Sequence, residues 1–416
     1  MKVSLNYGHN SVSVDIPEKN YLGTLTPSDA GEVDDPIAEV KRALENPIGS
    51  KKLKELVSPE HQVVIVASDI TRPAPSHIML PPILEELYEA GVSDDQIKVI
   101  FGLGVHRKQT EEEKKKLVGE NVYKWIQCID HDKDDCIKIG ITAKGTPVSV
   151  FREVLKADFI IATGNLEFHY YAGFSGGAKA IIPGVCSRET IFANHRRFLD
   201  PDACAGQIEG NPVREELEEM SGMVGIDFMV NAVLDSHQKV SKVVAGDITL
   251  AHREGARYIN DIFRVEIEEL ADIVIISPGG FPKDINLYQS HKAMENAVFA
   301  VKDGGIIIIA AACNEGLGDT HFAEALNEEL SPQDLIDELK RTFILGRHTA
   351  SRIAQIHLNT GLYLISDLPE ETKEKLFVKS FDSVDAALAK ALEVQGKEAK
   401  VLVIPFGVAT LPNYTG

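Results

Sequence analysis

Six short runs of β-branched and other apolar residues punctuate the chain: Val63–Ala67, Ile97–Phe101, Phe159–Ala162, Ile273–Ile276, Ile306–Ala310 and Val401–Ile404. Each is bounded by turn residues. Between several of them the apolar spacing is helical, as over Ile78–Ala90 and Asp334–Lys340. Strand alternating with helix predicts an α/β fold with mostly parallel sheets flanked by helices. Glu111–Lys116 is a charge run that reads as a solvated helix face. A domain boundary is expected near residues 260–272, where the charged, helix-like segment Val265–Leu270 separates two sets of strands. This gives a first domain over 1–265 and a second over 266–403. The final segment 404–416, with Pro405-Phe406-Gly407, is expected to return to the first.

The residues just past each strand narrow the picture. Val63–Ala67 runs into Ser68-Asp69-Ile70-Thr71-Arg72-Pro73, and Ile97–Phe101 into Gly102-Leu103-Gly104-Val105-His106-Arg107. Phe159–Ala162 leads to Thr163-Gly164-Asn165-Leu166-Glu167-Phe168-His169. Ile273–Ile276 leads to Ser277-Pro278-Gly279-Gly280, then Tyr288-Gln289-Ser290-His291-Lys292. Open α/β sheets bind ligands at the carboxyl ends of their strands. Polar motifs at four such ends predict one pocket, partly built by the second half of the chain.

Charge and cysteine content remove some function classes. The chain of 416 residues carries 43 basic and 63 acidic side chains, a formal net charge of −20. Such a surface repels phosphate backbones and anionic lipid, so neither nucleic acid nor a membrane is an expected partner. No basic segment leads into an apolar run, so no signal peptide is expected. No uncharged apolar stretch is long enough to span a bilayer. The cysteines at 128, 136, 186, 204 and 313 form no C-x-x-C pair and are odd in number, which fits a reduced cytoplasm.

The densest candidate chemistry is His169-Tyr-Tyr-Ala-Gly-Phe-Ser-Gly-Gly-Ala-Lys179-Ala-Ile-Ile-Pro-Gly184, followed by Asn194-His195-Arg196-Arg197. Glycines let backbone approach a ligand, and a loop entering a helix offers N–H groups to an anion. Ala180 after Lys179 breaks the G-x-x-x-x-G-K-[ST] pattern, so a nucleoside triphosphate is not expected. Lys179 reads as a covalent or anion-binding residue, or as a surface lysine. His195, beyond a helical stretch over Glu189–Ala193, reads as a ligand or as a capping or surface residue. Asp69 or Thr71 could cap a helix, or Arg72 could grip a carboxylate or phosphate. His106 reads as a general acid or base, or as a structural histidine. Gln289 and Lys292 are three apart and share a face if helical, ahead of an apparent helix over Ala293–Val301.

Together, D-I-T-R-P, G-x-H-R, H-x-x-A-G-F-S-G-G-x-K-x-x-x-P-G, N-H and Y-Q-S-x-K closely resemble the lactate racemase family that uses a nickel-pincer nucleotide. The resemblance runs in order from Asp69 to Lys292. It implies a two-domain α/β enzyme with its active site in the interdomain cleft. The implied cofactor is nickel in a pyridinium-3-thioamide-5-thiocarboxylic acid mononucleotide, tethered to a lysine. Carried over, Lys179 is the tether and His195 the nickel ligand, with His106 and His169 as the acid/base pair. Asp69, Gly173, Ser175, Gly176 and Gly177 fall on the cofactor side. Arg72, Gln289 and Lys292 would hold the substrate carboxylate, with Tyr288 in support. The implied reaction inverts C2 of a small 2-hydroxy acid, lactate or another such as malate, by hydride transfer to and from the cofactor. Cofactor-maturation proteins are the implied partners. The rival readings are a Schiff-base lysine enzyme using Lys179, a zinc hydrolase on the three histidines, and a non-catalytic cofactor carrier.

Overall fold

The computed structural model describes residues 1–416 apart from 29, 30, 32, 236, 237, 329, 342, 343 and 345. The chain divides into two compact units, Ala30–Asn260 on the one hand and Met1–Asp29 with Asp261–Gly416 on the other.

The first unit is built on a six-stranded sheet in the order Val240–Gly246, Phe228–Leu234, Phe159–Leu166, Val63–Ser68, Ile97–Gly102, Gln127–Asp130. Only Val240–Gly246 runs antiparallel to its neighbour. Val63–Ala67 and Phe159–Leu166 are buried along their lengths, as strands covered on both faces must be. On one face Val40, Leu44, Leu80, Ile83 and Leu87 close over Ile65, Val99 and Ile161. From Val63–Ser68 the chain goes to Ile97–Gly102 on one side and later returns to Phe159–Leu166 on the other. Where strand order reverses in this way, open α/β sheets bind ligands at the carboxyl ends of the strands.

The second unit carries an all-parallel six-stranded sheet in the order Lys379–Ser380, Gly361–Ile365, Val301–Ala310, Ala271–Ile276, Val401–Ile404, Tyr21–Thr24. The hairpin of Lys2–Tyr7 and Asn10–Asp15 packs Leu5 and Val14 against Ile273, Ile275 and Val403. All six apolar runs are therefore strands.

The segment boundaries differ from expectation in four places. Met1–Asp29 groups with Asp261–Gly416, because Tyr21–Thr24 completes the edge of that sheet beside Val401–Ile404. The tail 404–416 stays there too: Gly407 N donates to Ser277 O at 2.7 Å, and Leu411–Tyr414 pairs with Arg264–Ile267. Val265–Leu270 is not helical, since Val265 and Ile267 lie two apart in that strand. The helix expected over Ala293–Val301 runs instead over Leu287–Ala297, and Val301 opens a strand. No described helix is long and apolar enough to cross a membrane.

Candidate active site

The first cluster sits beyond Val63–Ser68 and Ile97–Gly102. Asp69 is buried, and its Oδ1 accepts from Thr71 N at 3.0 Å and Thr71 Oγ1 at 2.6 Å. This local turn occupies the carboxylate, and the next helix begins only at Ser76 without a side-chain cap, so neither Asp69 nor Thr71 caps it. Asp69 Oδ2 faces His106 Nδ1 at 2.5 Å. Burial pushes the Asp69 carboxyl up, but the His106 contact, Thr71 and the charge of Arg72 outweigh it and hold it below its ordinary value. An ionised carboxylate can only accept, so Nδ1 of His106 carries a proton and neutral His106 presents a bare Nε2. Arg72 is exposed one turn away, its backbone N–H on Asp69 O at 3.1 Å.

The second cluster is the glycine loop. Phe168–His169 pairs antiparallel with Gly173–Phe174, and the loop ends in a single 3-10 turn, Gly177–Ala180. No helix follows directly. The N–H of Ser175 goes to Glu167 O at 2.8 Å, and that of Gly177 to Asn231 Oδ1 at 2.7 Å. These amides are consumed by the fold and do not form the anion cradle that a helix start would supply. The glycines are instead sites of close approach at positive φ. A Cβ on Gly173 would lie 1.9 Å from Gln207 O, one on Gly176 2.5 Å from Asn231 Oδ1, and one on Gly177 2.7 Å from His252. Ser175 Oγ donates to Asn165 O at 3.0 Å and accepts from Glu167 N at 2.9 Å.

Tyr171, buried within this loop, gathers the candidate side chains. The amine of Lys179 lies 5.4 Å from its ring centroid. The rings of His169 and His195 meet it edge-on, with centroids 4.4 and 5.4 Å away. His169 Nδ1 accepts from Ala172 N at 3.3 Å, which leaves the proton of neutral His169 on Nε2. His195 is buried in the last turn of Arg188–His195, inside the helix and not beyond it. The preceding Asn194 donates to Glu216 Oε2 at 3.0 Å. Lys179 has no carboxylate partner among the described residues. Burial, then the positive charges of Arg214 and Arg72, hold its amine well below the ordinary lysine value.

Four buried polar residues that the sequence reading missed fix the loop from outside. Asn211 Nδ2 donates to Tyr171 O at 3.0 Å, and Arg214 Nε to Ala172 O at 3.2 Å. Asn231 takes Gly177 N–H, and His252 Nε2 meets Ser175 O at 2.9 Å. Asn211-Pro212 is a helix-start signature, and Asn231 is a polar residue inside an apolar strand. Both signals were readable. Nothing in their local sequence distinguishes Arg214 or His252 from other polar helix residues.

In the second unit Asn286 caps Leu287–Ala297, its Oδ1 accepting from Gln289 N at 2.9 Å. Tyr288, Gln289 and Lys292 thus occupy its first turns, with Lys292 Nζ on Gln289 Oε1 at 2.8 Å. The shared helix face is as expected from the three-residue spacing. Tyr288 packs against His291, Phe322 and His348. His291 is buried with its Nδ1 2.5 Å from Tyr288 O, inside the fold and not solvent-facing.

The donor set bears on a metal. No group of three or more His, Cys, Asp or Glu among the described residues could hold one. A buried imidazole at His195 therefore fits a metal whose other ligands come from an organic group, and a lysine amine held below its ordinary value against the same Tyr171 ring fits a covalent anchor for that group. A protein-only zinc site does not fit, and all five cysteines are free thiols.

The sequence model of the lactate racemase N-terminal domain matches residues 7–206, and that of the lactate racemase C-terminal domain matches 267–411. The chain belongs to the lactate racemase family. It is 34% identical to the lactate racemase of Thermoanaerobacterium thermosaccharolyticum over 98% of each chain. It is 32% identical to that of Lactiplantibacillus plantarum, over 98% of this chain and 99% of the other. The structure of the T. thermosaccharolyticum lactate racemase apoprotein superposes with a TM-score of 0.93 at 32% identity, over 99% of this chain and all of that one. A Thermotoga maritima protein of 17% identity shares the fold, with a TM-score of 0.66. As a lactate racemase-like protein the chain is an isomerase, with the two-domain α/β architecture that its strand pattern predicted.

Proposed function

We propose that this enzyme racemises lactate, inverting C2 with a nickel-pincer nucleotide tethered to Lys179. The observation that carries the reading is the Lys179 amine, on a half-buried side chain over Tyr171 with no carboxylate partner among the described residues. When bound, the nucleotide supplies an acceptor and donor for the hydride of C2. Lys179 would anchor it and His195 would ligate nickel, with the tight turns at Gly173, Gly176 and Gly177 shaping the loop and Ser175 pinning it.

The chain's own residues move the protons. His106 is oriented by Asp69 and takes the hydroxyl proton of one enantiomer at Nε2. His169, with Nδ1 on the Ala172 amide, carries its proton at Nε2 and gives it to the alkoxide side of the other. With Nδ1 of each ring engaged, His106 and His169 would offer Nε2 as the base and the acid that inversion at one carbon needs. Arg72, Gln289 and Lys292 are assigned to the substrate carboxylate, with Tyr288 in support. Dedicated maturation proteins would build and load the cofactor, and the free thiols fit a cytoplasmic setting.

The test is the intact mass of enzyme matured with the cofactor-building proteins, peptide mapping at Lys179, and racemisation of each lactate enantiomer alongside malate. An adduct on Lys179, absent in Lys179→Ala, with both lactate enantiomers interconverted is the expected result. An adduct with turnover of malate alone would reassign the substrate. No adduct, under conditions that load a lactate racemase, would remove the tether.

A further inference from the structure

We propose that Arg214 is a positioning residue for Lys179: its fixed, buried positive charge behind the glycine loop sets that lysine up as a free amine. The inference rests on reading Lys179 as the attachment point.

Arg214 is 1% exposed and is among the largest fully buried side chains of the molecule. Its Nε donates to Ala172 O at 3.2 Å and its Nη2 to Phe174 O, while Nη1 is buried without a hydrogen-bond partner. No carboxylate pairs with it among the described residues. The acids on its own helix are engaged elsewhere: Glu215 with Lys144, Glu216 with Arg197, Glu218 bidentately with Arg253, and Glu219 with the Ala143 amide. A buried, unpaired cation is costly, and here its hydrogen bonds fall on carbonyls of the loop that carries Lys179. Ala172 directly follows Tyr171, the ring over which the lysine amine sits.

The elements packed most closely against the 177–180 turn are Val63–Ser68, Phe159–Leu166 and Pro212–Val224, and Gly177 also meets Asn231 and His252. The two strands carry no ionisable side chain, and the helix brings Arg214. Around the same aromatic stand His169 and His195, and His252 closes on Gly177. His252 is held neutral by burial first and by Arg214 second. Two neighbouring cations repel each other, and the weaker acid keeps its proton more readily. Burial lowers Arg214 only to about 10, which leaves it charged at neutral pH, so the lysine yields. Arg72 adds to the effect from an exposed position, where water and salt screen it.

The full chain, expressed without maturation proteins, is labelled with acetic anhydride from pH 6 to 10 against a free-amine standard, and Lys179 is quantified by peptide mapping. Wild type is expected to reach full reactivity at a pH well below that of its surface lysines. In Arg214→Met the midpoint should rise by about one unit, ~tenfold less reactive amine at pH 7, and Arg214→Lys, whose own buried amine would give up its proton, should restore little of the shift. A folded Arg214→Met with the wild-type midpoint would reduce Arg214 to a loop clamp and overturn the proposal. If Arg214→Met does not fold, Arg214→Gln, which can still donate to a loop carbonyl without the charge, decides: a raised midpoint supports the buried charge, and the wild-type midpoint overturns it. The labelling needs no cofactor, so a missing adduct in loaded enzyme defeats the tether reading and leaves this result intact.

Discussion

At the scale of single residues, the Asp69–His106 contact makes the sharpest claim. A carboxylate that already accepts two bonds from Thr71 has one orientation left for its second oxygen, and His106 fills it. If that carboxylate fixes the proton on Nδ1, then Asp69→Asn preserves the size of the group but removes the charge that selects the tautomer. Such a change is expected to lower kcat by on the order of a hundredfold or more in both directions. Steady-state rates from each lactate enantiomer check it, and activity within about threefold of wild type would mean that Asp69 only shapes the turn. The sequence displayed Asp69 and His106 as two motifs at two strand ends. It could not display their pairing, because 2.5 Å between residues 37 apart is a product of two parallel strands lying side by side.

The same division holds for whole elements. Continuous apolar runs identified the buried parallel strands, because strands covered on both faces have no polar side to show. Phe228–Leu234 escaped, since Asn231 interrupts its apolar run, and the interruption was the informative residue. That Asn231 takes the Gly177 amide depends on its strand lying next to Phe159–Leu166, which no local pattern encodes. The glycine loop was legible as a site but misread in its mechanics: its glycines serve backbone-on-backbone packing at positive φ more than they expose amides. Gly173→Ala tests this at φ +73°, where the new Cβ would lie 1.9 Å from Gln207 O. Neither backbone can yield without unseating the 168–174 hairpin. A loss of about 2–4 kcal/mol is expected, roughly 5–15 °C in Tm, with weakened loading of Lys179. Calorimetry of the variant and wild type measures it, and an unchanged Tm would show that the loop tolerates a shift.

Across the molecule, histidines buried as neutral groups tie stability to pH. Burial holds His131 at about 4 and His252 well below its ordinary value in the first unit. It holds His291 at about 4 and His348 at about 3 in the second. An unfolded histidine takes its proton near 6.5, whereas these take theirs only at the lower values. Between those limits the unfolded chain binds more protons, so stability is full above about 6.5 and is lost as pH falls toward 4. Each such group contributes on the order of 1–3 kcal/mol over that interval, and both units carry a pair. Urea midpoints should therefore drop steadily from pH 7 through 5.5 to 4.5, and a flat midpoint would mean that the buried rings are charged in the native state. The acid limb of racemisation can then be apportioned. Activity lost in step with the urea midpoint belongs to the fold, whereas activity lost at a pH where the midpoint still holds belongs to groups at the reacting centre.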